Sequence, residues 1–245
     1  MNIRPFHRTL AAVVGCVLLS LAIASCTPSH QEVVAPHLPA MDALRSKLSR
    51  IAASLPATGT VVERVADSAL APPFVFSNTH SPAINADALH FEQLTETPVA
   101  DEFDLNLSAN LTYALNWTGA AQRNNPESFG DSALIEQTLV ATRDLEYLVI
   151  HRLTELKLPK AIDRNSFTPG TAAIEGFVVR LSDETIAATY VIHSSMPAQV
   201  EYQYQEGSDP EQGLTKFARS ALWSDARSQV QAKLASVTGG VVTID

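Results

Sequence analysis

AIEGFVVRLSDETIAATYVIHS, residues 173–194, is the stretch on which the fold turns. Ala173 to Leu181 and Thr185 to Ser194 are rich in β-branched and aromatic residues, and the polar Ser182-Asp183-Glu184 between them marks a turn, so the pair reads as a hairpin. Upstream, Leu145 to Leu153 is also β-rich. Leu145, Tyr147, Val149, His151 and Leu153 fall on one face, and Glu146, Leu148, Ile150 and Arg152 on the other. Downstream, Gln199 to Tyr204 alternates Val200, Tyr202 and Tyr204. Sequential strands of this kind form a meander more often than not.

Helices flank the strands. Asp209 suits an N-cap, Pro210 a first turn and Glu211 the positive dipole end, and an apolar stripe from Leu214 to Leu234 follows until Gly239-Gly240. Residues 132–143 carry Leu134, Ile135, Leu139 and Val140 at helical spacing, and residues 105–117 suggest another helix through Leu107, Leu111 and Leu115. Between Pro39 and Pro56, Met41, Leu44, Leu48, Ile51 and Leu55 make one stripe, with Arg45, Lys47 and Arg50 on other faces. That stripe suits packing on the domain, attraction to anionic headgroups or a short dimer seam. Residues 57–104 read as irregular connections, with strands at Thr60 to Val65 and Phe74 to Phe76 and one helical turn near Ala86 to Leu94. Pro72-Pro73 argues against a central position for the second strand. No βαβ alternation is visible. The expected class is α+β: an antiparallel sheet of about four strands with helices packed on one face.

The N-terminus carries an address. Arg4 and Arg8 precede an apolar run from Leu10 to Ala24, about 22 Å long as a helix and short of the roughly 30 Å hydrocarbon layer, which suits an export signal. The run ends in Ile23-Ala24-Ser25-Cys26, which resembles the lipobox of bacterial lipoproteins. That resemblance implies cleavage before Cys26 and a diacylglyceryl thioether on its sulfur. With Thr27 next, it also implies the outer membrane, the body facing the periplasm. The expected organisation is a signal peptide at 1–25, a lipidated tether at 26–38 and a single domain at 39–245. Cys16 and Cys26 are the two cysteines, so a mature chain retains one thiol and forms no internal disulfide. The strand from Tyr147, the Phe167-Thr168-Pro169-Gly170 loop and the hairpin also resemble segments of uncharacterised bacterial lipoproteins, which implies no particular activity.

Composition excludes some classes. Removing Arg4 and Arg8 from the 17 basic residues leaves 15 against 26 carboxylates, a balance unsuited to nucleic acid, which requires a basic footprint. No nucleophile elbow, zincin helix, phosphate loop or dinucleotide-binding glycine pattern occurs, and no cofactor is expected. His151 and His193 both lie on expected strands and, with Asp144, Glu146 or Glu175, are the candidates for acid/base or metal chemistry. His30 and His37 in the tether and the carboxylates Asp101, Glu102 and Asp104 are weaker metal candidates. Trp117, Trp223, Tyr202 and Tyr204 are candidates for a glycan or peptide groove. The expectation is a membrane-anchored, non-enzymatic module binding an envelope protein or glycan. The alternatives are a periplasmic hydrolase using His151 or His193, and a small-ligand carrier with a cavity behind the sheet.

Overall fold

The structure is a computed structural model that describes residues 29–68, 70–79, 84–95, 103, 105, 107–123, 131–163, 166–196 and 209–244. The chain opens with α1 (His30–Val34), a 3₁₀ turn (Ala35–His37) and α2 (Leu38–Ser54). Two short strands follow, β1 (Val75–Ser77) and β2 (Ala86–His90), then α3 (Phe91–Leu94), α4 (Leu111–Gln122) and α5 (Ser132–Arg143). The long strands are β3 (Tyr147–Lys157), β6 (Thr171–Arg180) and β7 (Thr185–Ser195). Between β3 and β6 lies a small antiparallel pair, β4 (Lys160–Ala161) and β5 (Phe167–Thr168). The chain closes with α6 (Pro210–Thr238) and β8 (Val241–Thr243).

The expected antiparallel four-stranded sheet is wrong. Six strands form one mixed sheet in the order β7-β6-β3-β2-β1-β8. The β3–β6 and β6–β7 pairings are antiparallel, whereas β2–β3, β1–β2 and β1–β8 are parallel. The hairpin is where the sequence places it. What alternation concealed is the parallel half. In β2, Ala86, Asp87, Ala88 and Leu89 are all buried, and a strand covered on both faces carries no apolar–polar alternation to read. The stretch expected as a helical turn at Ala86 to Leu94 is β2 followed by one turn, α3. Strand β1 lies between β2 and β8, not at an edge. Pro72 and Pro73 precede it, so no ladder N–H is lost. Residues 60–65 contribute a single antiparallel bridge on the outside of β7, where Arg64 N–H donates to the Thr189 carbonyl at 2.9 Å and Thr189 N–H returns the bond at 3.0 Å.

Helices cover both faces, not one. Tyr147, Val149, Ile174, Val178, Tyr190 and Ile192 meet Trp223, Ala226, Val230, Leu234 and Val237 of α6 in the larger core. On the opposite face Leu148, Ile150, Phe177 and Val179 meet Leu48 and Ile51 of α2. Each of these large side chains contributes about 1.5–3 kcal/mol by leaving water. Helix α6 is about 43 Å long, and carries the chain from the β7 side of the sheet to β8 at the other edge. Its start is as expected: Asp209 Oδ1 accepts from the N–H groups of Glu211 at 3.0 Å and Gln212 at 3.3 Å. It ends at Gly239, φ +65°, a left-handed cap that glycine accommodates without strain. Gly240 then lets β8 approach β1, because a Cβ there would stand 2.4 Å from the Phe74 carbonyl oxygen.

Residues 30–37, expected as tether, are helical, and Val33, Val34 and His37 are buried. The α2 cations are used internally. Arg45 donates to the Leu115 carbonyl, Lys47 to the Leu181 carbonyl, and Arg50 pairs with Glu184 in the β6–β7 turn. Helix α5 occupies the expected residues, while α4 begins at Leu111, six residues later than expected.

Candidate functional site

Four residues on one row of the sheet share a face and define its polar centre. Parallel pairing sets His90 of β2 beside His151 of β3, and antiparallel pairing sets His151 opposite Gly176 of β6 and Gly176 opposite Tyr190 of β7. The glycine is required. A Cβ at Gly176 would lie 2.1 Å from the Tyr190 ring, so only glycine lets that ring lie across β6 and reach the next strand. The Tyr190 hydroxyl and His151 Nε2 are 2.7 Å apart and fully buried. Burial, with a smaller contribution from His90, pushes the His151 ring down to about 3. It is therefore neutral at pH 7, the form that a buried imidazole with one hydroxyl partner favours. Burial pushes the Tyr190 hydroxyl upward, so it too stays neutral.

Beside this row lies a cavity of about 60 Å³, bordered by His90, His151, Gln93, Ser108 and Thr112. It has room for about four water-sized molecules, not for a peptide or sugar ring. The wall is held by Asp87 of β2. Its Oδ1 accepts from Ala88 N–H at 2.7 Å and Ala109 N–H at 2.9 Å, and its Oδ2 accepts from the N–H groups of Asn110 and Leu111, each at 2.7 Å. Burial raises this carboxyl, and the four backbone donors act against the rise. The geometry serves an ionised group, since both oxygens already accept two N–H bonds and none is left to donate. Asp87 thus satisfies the first orphan donors of α4 from a neighbouring strand. His90 caps α3, its N–H donating to Gln93 Oε1 at 2.8 Å, and its ring lies 4.4 Å from that of Phe103.

The residues expected to carry chemistry do not assemble. His193 is exposed and sits on the face of β7 opposite Tyr190, three rows away along the strand, so it does not approach His151. Glu175 faces away from His151 and takes the side chain of Arg152, whose Nε donates to its Oε2 at 2.9 Å. Asp144 pairs with Arg143, and its carboxyl is held below the ordinary range by that bond. Glu146 lies before β3 and is half-buried, its carbonyl accepting from Leu181 N–H at 2.8 Å. His37 Nε2 contacts Glu136 Oε2 at 3.0 Å, fastening the N-terminal helices to α5. His30 begins α1. Trp117 and Trp223 are both buried, the latter against Phe103, and so line no groove. Cys26, Asp101, Glu102, Asp104, Tyr202 and Tyr204 lie outside the described residues. Among the described residues, no three His, Cys, Asp or Glu side chains are grouped to hold a metal.

Sequence reasoning missed His90, Asp87, Gly176 and Tyr190 as parts of one constellation. Only parallel pairing brings His90 to His151, and 60 residues separate them along the chain. Gly176 inside an apolar strand was the one legible signal, since such a glycine marks a close approach. No protein-family model matches this chain, and comparison with curated proteins and with solved structures finds no match.

Proposed function

We propose that this chain is a lipoprotein anchored through a lipid on Cys26, at the outer membrane with its body in the periplasm, and that the body works as a non-enzymatic binding or scaffold module for an envelope component. The observation that carries the anchor is the run from Leu10 to Ala24 closing on Ile23-Ala24-Ser25-Cys26. One acyl chain gives marginal membrane residence and two or three give stable residence, so the implied thioether suffices to confine the body to a surface and raise its effective concentration there. Among the described residues, no helix is long and apolar enough to cross a membrane.

The placement of the histidines favours binding over hydrolysis. A general base requires a titratable nitrogen near neutrality within reach of substrate. His151 is buried, neutral and occupied by Tyr190, and exposed His193 has no carboxylate partner among the described residues. The test is fatty-acid labelling and intact mass of the mature chain. The wild type is expected to carry a diacylglyceryl group on an N-terminal Cys26, and Cys26→Ala to lose the label. An unmodified thiol, or a chain beginning at Met1, contradicts the proposal.

A further inference from the structure

The chain is acid-rich, and most of its described cations are committed. Arg45, Arg50, Arg143, Arg152, Arg180 and Lys233 each form an ion pair. Lys160, Lys216 and Arg219 form none among the described residues, and all three border one open groove of about 480 Å³ between β4 and the first turns of α6. Lys216 and Arg219 stand three residues apart on α6 and so share a flank. Lys160 faces them from β4. The two walls are joined, since Ala161 N–H donates to Thr215 Oγ1 at 3.2 Å. Two carboxylates also border the groove. Asp209 is engaged by the N–H groups of the helix start, and Glu211 is exposed. Two residues beyond Lys160, Ile162 is 66% exposed, one of the most exposed large apolar side chains described. Three unpaired cations beside an exposed branched side chain form an interfacial pattern, in which charge meets anionic headgroups and the apolar residue enters the headgroup layer.

The geometry points to a membrane-docking face: the groove seats the phosphate of an anionic lipid headgroup, and Ile162 dips in beside it. This rests on the lipid-anchored reading, because an anchor holds the body close enough for three charges to orient it. Each cation near an anionic surface strengthens attachment by about fivefold.

The test uses the mature lipidated protein in nanodiscs of phosphatidylcholine alone or with phosphatidylglycerol. A fluorophore is placed by Ile162→Cys or, as a control, by Val62→Cys, which is 80% exposed and adjoins Glu63, the partner of Lys233 roughly three to four turns further along α6 than the groove. Quenching by spin-labelled lipid at position 162 is expected to be greater in the anionic discs by at least the roughly fivefold of one cation, and to vanish in Lys216→Glu/Arg219→Glu, with position 62 unchanged. Both groove positions are exposed, so an unchanged thermal melt verifies the fold of the variant. Equal quenching in both discs, insensitivity to the double substitution, or binding of inorganic phosphate in the groove without a lipid effect overturns the docking face. Failure of the anchor is seen separately, as a chain without lipid mass that does not enter discs. The same labelled chain, held on phosphatidylglycerol vesicles by a C-terminal histidine tag on nickel-chelating lipid, then tests the groove alone, and absence of quenching there overturns it.

Discussion

His151 and Arg152 are consecutive residues of β3 that point to opposite faces of the sheet, and both are buried. The histidine faces α6, is neutral and meets one hydroxyl. The arginine faces α2, is charged, and is bound on every side. Its guanidinium donates to Glu175 and to the Pro56 carbonyl at 2.7 Å and lies between the Phe91 and Phe177 rings, 5.5 Å and 5.1 Å from their centroids. Glu175 Oε1 in turn accepts from Gly59 N–H at 2.9 Å. The arginine and glutamate thereby pin the loop after α2 to the sheet. A histidine escapes desolvation by shedding its proton. An arginine cannot, and survives burial only with a full set of acceptors.

That contrast ranks the expected effects. Glu175→Ala leaves Arg152 charged without its carboxylate and is expected to cost about 3–5 kcal/mol by denaturant unfolding. Joint replacement by apolar residues, Arg152→Met with Glu175→Leu, is expected to recover most of that loss. Should the double variant be as unstable as the single one, the pair is more than a satisfied burial. Gly176→Ala forces the Tyr190 ring off β6 and is expected to cost about 1–3 kcal/mol, with loss of the buried tyrosine–histidine contact in NMR spectra. Tyr190→Phe keeps the packing and removes one hydrogen bond, for about 1–2 kcal/mol. It is expected to leave the His151 ring depressed, because burial and not the hydroxyl is the leading cause.

The smallest effect near neutrality is the pH dependence. The folded His151 value lies below its ordinary 6.5, at about 3, so the unfolded chain binds the extra proton between these limits. The contribution of this group is fully present above pH 6.5 and is lost as pH falls toward 3, by up to about 1.4 kcal/mol per unit. Unfolding free energies of wild type and His151→Gln measured across that window should converge on acidification. Parallel curves would mean that His151 does not carry the effect.

The comparison also marks what was legible in the sequence. Period-two alternation placed Tyr147, Val149 and His151 on one face and Leu148, Ile150 and Arg152 on the other, as observed, because one strand's pleat is local information. The hairpin turn and both ends of α6 were legible for the same reason: Ser182-Asp183-Glu184, Asp209-Pro210 and Gly239 act over a few residues. Strand β1 was legible at Phe74 to Phe76 but not its place inside the sheet, and β2 and β8 were not legible at all. They are three to five residues long, and β2 is doubly buried, with Asp87 and His90 in places where strand propensity argues against them. Their pairing is parallel and fixed by contacts distant in the chain. The partnership of Glu175 with Arg152, rather than with either histidine, follows from cross-strand register that composition does not encode. The lipid anchor proposed at Cys26 rests instead on a four-letter motif, Ile23-Ala24-Ser25-Cys26, that lies outside the described residues.

The most direct test is a ring-resolved NMR titration of His151 in the folded protein. The account requires an imidazole that stays in contact with the Tyr190 hydroxyl and neutral through the range where a free ring protonates, taking up its proton only near about 3. A ring that takes up its proton near pH 6.5 while the fold persists would show solvent access and a usable base at the centre of the sheet, and would restore the hydrolase reading.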